Sequence, residues 1–109
     1  MLECRALLDT GADGTSVCKS VAMAAKLTPY GKMQVVGIGG QNYHRTWGLH
    51  LGFFADENAP PFVLDEPLLA VEIPDNNWFE VIIGRDILTK GTFIMRPGGQ
   101  FELELPVDA

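Results

Sequence analysis

Apolar residues in this chain come in short runs, and Gly, Pro and polar clusters cut each run off before a long helix can form. Cys4–Leu8, Met33–Val36, Tyr43–Trp47, Phe62–Leu64, Leu68–Ile73, Trp78–Ile83 and Thr92–Met95 all read as strands of this kind. In Phe101–Leu105, Phe101, Leu103 and Leu105 alternate with Glu102 and Glu104, so one face of that strand is apolar. Trp47–Phe54 places Leu49, Leu51 and Phe53 on one face by the same period. Between these runs lie a Gly-rich tip at Gly37-Ile38-Gly39-Gly40, a polar loop over Ala55–Pro61, and turns at Pro74-Asp75-Asn76-Asn77 and Pro97-Gly98-Gly99.

Two stretches depart from the strand pattern. In Ser16–Leu27, Val17, Val21, Ala24 and Ala25 recur at helical spacing, with Thr15 or Ser16 available as a cap. Arg85–Lys90 reads as a second short helix, ended by Gly91. The expectation is a mainly β chain with one helix early and one late. Its 109 residues fit a single domain over 1–109, and 47% apolar content is enough to build a core without staples.

Charge narrows the partners. The net charge is −6, and the eight basic residues are scattered rather than gathered into a stripe, so no nucleic-acid partner is expected. No apolar run reaches the roughly 18–20 residues of a membrane span, and no leader pattern opens the sequence, so no membrane is expected and the default location is cytoplasmic. Cys4 and Cys18 lack a short metal-ligand spacing and read as free thiols, although a bridge stays open. A zinc set drawn from Cys4, Cys18, His44 and His50 is formally available but scattered. No metal and no cofactor are expected.

The unusual charge is Asp9, which follows two leucines in Leu7-Leu8-Asp9-Thr10-Gly11-Ala12-Asp13. An ionised carboxylate in apolar surroundings needs hydrogen bonds. Thr10 offers a hydroxyl, and Gly11, without a Cβ, lets its backbone N–H approach the carboxylate. Taken alone, the triplet also fits an ordinary turn after a strand.

Two further motifs follow in order: Val35-Val36-Gly37-Ile38-Gly39-Gly40 and Val81-Ile82-Ile83-Gly84-Arg85-Asp86. Together the three resemble the retroviral-type aspartic peptidases (retropepsins) and their cellular and bacterial relatives, over about Glu3 to Leu105. The resemblance implies a retropepsin-like closed β-barrel, half of an acid protease, with a short helix after the catalytic loop and another near the C-terminus. It implies that Asp9 is the catalytic aspartate, that the Thr10 hydroxyl bonds across a dimer axis, and that Gly11 brings backbone to the substrate. Ala12 and Asp13 would contact substrate, with Arg85 pairing to Asp13. Gly37, Ile38 and Gly39 would form the tip of a flap, and Gly84 would pack behind the catalytic loop. Strand alternation then puts Ile82 on the face of Gly84, lining the pocket.

The mechanism implied needs two carboxylates, yet no other aspartate of the chain is followed by Thr-Gly or Ser-Gly. The second Asp9 must come from another copy, which makes the expected partners a homodimer and an extended peptide or protein substrate. Ala12 cannot offer the hydroxyl that a Ser would, so a pH–rate profile nearer neutrality is expected. Eight residues precede Asp9, fewer than in retropepsins, where further strands lie and help to close the dimer. Phe101–Leu105 is the candidate interface strand. The alternative is a dimerising or peptide-binding module on the same fold that adds a peptide strand without cutting it.

Overall fold

A computed structural model describes residues 2–37, 40–54, 58 and 60–105 of the chain. In chain order the elements are β1 (Ala6–Leu8), β2 (Ser16–Cys18), α1 (Lys19–Ala24), β3 (Thr28–Gly37), β4 (Gly40–Leu49), β5 (Gly52–Phe53), β6 (Phe62–Val63), β7 (Leu68–Ile73), β8 (Val81–Ile83), α2 (Arg85–Leu88), β9 (Thr92–Met95) and β10 (Phe101–Glu104). The chain is therefore mainly β with two short helices, as its apolar pattern predicts. A 3₁₀ turn at Pro97–Gly99 joins β9 to β10, and Gly98 and Gly99 supply its positive φ angles of 81° and 79°.

Six strands form one sheet in the order β1-β8-β2-β7-β4-β3. β1 runs parallel to β8 with Leu7 opposite Ile82, and β2 pairs with β8 antiparallel and with β7 parallel. β9–β10 and β5–β6 are separate two-stranded pairs. The sheet ends on β1 and β3, which do not pair with each other, so the described strands form an open sheet rather than the expected closed barrel. The reason lies in its edges. β1 is three residues long and stops at the Thr10-Gly11 turn, while β3 carries Pro29 and a register shift between Pro29 and Lys32. Both features keep an edge from extending.

Burial alternates cleanly in β8, while β2 and β4 each bury two consecutive residues. Val17, Trp47, Leu49, Ala70, Val81 and Ile83 form the core, with Ala22 from α1 and Ile87 and Leu88 from α2 seated against them. Burying each large aliphatic chain contributes roughly 1.5–3 kcal/mol. Leu51 and Phe53 join the same core as expected, although the strand breaks after Leu49 and resumes only at Gly52. At the C-terminal hairpin, Leu103 and Phe93 pack on the core, whereas Phe101 is left 58% exposed with its ring centroid 6.0 Å from that of Phe93.

The early helix is shorter than its spacing predicts. Ser16–Cys18 are a strand, and α1 starts at Lys19. Flanked by β7 and β8, the segment buries Val17 and Cys18 to 1% and 2% exposure, and this pairing overrides its local helical pattern. Neither Thr15 nor Ser16 caps the helix. Cys18 occupies the cap position without a capping side-chain bond, and the Ser20 N–H instead donates to Asp75 Oδ1 at 2.9 Å, from the segment after β7. Cys4 and Cys18 are both free thiols, exposed and buried respectively.

Candidate active site

Asp9 is the first residue after β1. Its N–H donates to Ile83 O at 2.9 Å, which carries the β1–β8 pairing one step further. The chain then turns: Gly11 N–H donates to Asp9 Oδ1 at 2.8 Å, and Ala12 N–H reaches Asp9 O at 3.3 Å. A Cβ on Gly11 would stand 3.2 Å from that same Oδ1 and crowd the bond. The half-buried carboxylate thus keeps one oxygen engaged by its own loop. Thr10 is exposed, and its hydroxyl has no hydrogen bond among the described residues.

The rest of the loop lies on the start of α2. Arg85 N–H donates to Ala12 O at 2.8 Å and Asp86 N–H to Asp13 O at 3.2 Å. Gly84 makes this close approach possible, since a Cβ there would fall 2.5 Å from Gly14 O. The Arg85 guanidinium pairs with the Asp13 carboxylate, joining the two residues the motif reading pairs. Their side chains are 52% and 91% exposed, so solvent screens the pair and its contribution to stability is small.

Two residues to which the motif reading gives no role complete the arrangement. Thr15 Oγ1 donates to Asp86 Oδ1 at 2.9 Å, and Thr15 N–H to Asp86 Oδ2 at 3.0 Å. The available signal was an acidic residue two positions after a strand-ending glycine, in the first turn of a short helix. Nothing local in the sequence points it at Thr15.

The cross-strand register gathers a row beside Asp9. Leu7 faces Ile82, Ile82 faces Ser16, and Ser16 faces Val71. Paired residues share a face, so these four lie opposite the buried Val81 and Ile83. Ile82 is half-buried and Leu7 is 42% exposed, which leaves an accessible apolar wall with one hydroxyl, that of Ser16. The β3–β4 hairpin brings Gly37 opposite Gly40, and Gly40 has φ +111°. Ile38 and Gly39, expected at the flap tip, lie outside the described residues.

A cavity of about 730 Å³ opens on the opposite face of the sheet, lined by Ala6, Val21, Leu27, Leu51 and Phe53 among others. Asp9 is not part of it. Thr10, Gly11, Asp13 and Gly14 of the Asp9 loop are exposed. Among the described residues no three of His, Cys, Asp and Glu converge as metal ligands, so Cys4, Cys18, His44 and His50 are not assembled into a site. No helix among them is long and apolar enough to cross a membrane.

Compared with protein-family models and with curated proteins, the chain matches none.

Proposed function

We propose that this chain is a retropepsin-like aspartic endopeptidase whose active form is a homodimer, each copy supplying one Asp9. The observation that carries this reading is the Asp9 loop itself. A carboxylate at a strand end has one oxygen held by the Gly11 N–H, and the far part of its loop, at Ala12 and Gly14, lies against Gly84, which admits no side chain. The open sheet then corresponds to one half of the enzyme, and the peptide cleft forms only when two halves meet.

In the dimer the two Asp9 carboxyls share one proton, because two charges this close are too costly. The ionised one takes a proton from water, and the water oxygen bonds to the carbonyl carbon of the scissile peptide. The protonated one gives its proton to the carbonyl oxygen, so a tetrahedral gem-diol forms. Collapse of that diol breaks the C–N bond, with proton transfer to the leaving nitrogen, and returns the dyad to its starting state. The Gly11 N–H fixes which way Asp9 points, and the exposed Thr10 hydroxyl is free to bond its symmetry mate. Leu7, Ile82, Ser16 and Val71 supply an apolar wall for side chains of an extended peptide.

The test is incubation with a mixed peptide library, with and without a statine-type inhibitor, alongside Asp9→Asn. Cleavage that is blocked by the inhibitor and absent in the variant is expected. Cleavage that survives the substitution rejects the proposal. A second reading, a peptide-binding module that does not cut, draws on the outer edges of β1 and β3, which pair with no strand among the described residues and can accept an added one. It predicts peptide binding that Asp9→Asn leaves intact.

A further inference from the structure

The loop that carries Asp9 has little apolar burial to hold it. Thr10, Gly11, Asp13 and Gly14 are all exposed, and two of these four are glycines with a permissive backbone. Its geometry must rest on polar bonds, and those converge on one short segment. Asp9 N–H is held by Ile83 O, Ala12 O by Arg85 N–H, and Asp13 O by Asp86 N–H.

At the far end, one carboxylate closes the loop. Asp86 accepts Thr15 N–H at 3.0 Å on one oxygen and Thr15 Oγ1–H at 2.9 Å on the other. The second oxygen also accepts Ile87 N–H at 2.9 Å, which ties the carboxylate to its own helix. Thr15 is 1% exposed and Asp86 half-buried, so these bonds are shielded from water on the Thr15 side. The Thr15 hydroxyl donates to Asp86, and its oxygen in turn lies 3.5 Å from the Gly84 N–H that donates to it. The Asp13–Arg85 pair is not placed to do this, since both side chains lie in solvent.

We infer that Asp86, acting through Thr15, is a positioning residue for Asp9. It clamps the far end of the loop, and with both ends fixed the Gly11 N–H stays aimed at Asp9 Oδ1. The inference rests on the peptidase reading above. Its consequence is kinetic: misplacing a catalytic group by an ångström costs on the order of 10²-fold in rate.

The test uses Asp86→Asn, which keeps the size but has one oxygen for two Thr15 donors, and Thr15→Val, which keeps the shape but has no hydroxyl. Thr15→Ser restores the hydroxyl. Peptide cleavage is measured well below each variant's melting temperature. Asp86→Asn and Thr15→Val are expected to lower kcat by about ten- to a hundredfold with KM little changed, and Thr15→Ser to retain it. A second arm needs no activity. In an Asp9→Asn background, where an amide oxygen still accepts from Gly11, hydrogen exchange is followed at Gly11 and at Leu64, whose N–H is bonded to Leu51 O far from the loop. Asp86→Asn is expected to speed exchange at Gly11 and leave Leu64 unchanged. An unchanged kcat, unchanged Gly11 exchange, or equal loss of protection at both amides overturns the inference, the last because Asp86 would then hold only the fold. If the wild type cleaves no peptide, the peptidase reading fails, and the exchange arm still decides whether Asp86 holds the loop.

Discussion

Gly84 lies so close to Gly14 that a Cβ on Gly84 would stand 2.5 Å from the Gly14 carbonyl oxygen, and 3.0 Å from that of Ala12. The contact is backbone against backbone, so no rotamer change relieves it. It lets β8 end directly behind the Asp9 loop, with Arg85 and Asp86 turned toward Ala12 and Asp13.

Gly84→Ala must therefore push the loop away. We expect a loss of about 1–3 kcal/mol in urea unfolding, the usual range for overpacking. Gly14→Ala is the control, because a Cβ there meets nothing within 4 Å. Equal losses in the two variants would show that the close approach does not constrain the fold.

One chain holds one Asp-Thr-Gly motif. Specific activity is expected to fall on dilution below the dimer dissociation constant, measured in parallel by sedimentation. Activity that stays proportional to enzyme concentration far below that constant contradicts the shared dyad.

Ala12 follows Gly11 and offers no hydroxyl to the carboxylates. Ala12→Ser adds a donor that favours the charged form, so the pH–rate profile is expected to move toward acid. A profile superimposable on the wild type rules out a role for this position in setting the pH range.

Hydrogen bonds from Ser20, the backbone N–H first and then the hydroxyl, hold the Asp75 carboxyl below its ordinary range. A lowered folded-state value means the contribution is fully present above the unfolded value of about 3.9. It is lost as the pH falls through the folded value. The Ser20 amide resonance should therefore move with pH on the acid side of about 4, and Asp75→Asn should abolish that dependence. A resonance that moves equally in both proteins would show that Asp75 does not hold the start of α1.

What local chemistry alone dictates was legible in the residues. Leu68–Ile73 and Thr92–Met95 are strands over the bounds their apolar runs predict, and a short helix follows Gly84. The Asp9 turn is also local, since its defining bond spans two residues and needs only a carboxylate and a glycine N–H. Tertiary structure decided the rest, because it depends on partners far away in the chain. Ser16–Cys18 has helical spacing, yet it is a strand because β7 and β8, more than fifty residues on, enclose it. Asp86 reads as one acid among several until the fold sets it against Thr15, 71 residues earlier. The same holds for the sheet's outline: strand periodicity tells which residues face inward, but whether the end strands meet depends on twist, bulges and strand length acting together. Here they leave β1 and β3 apart.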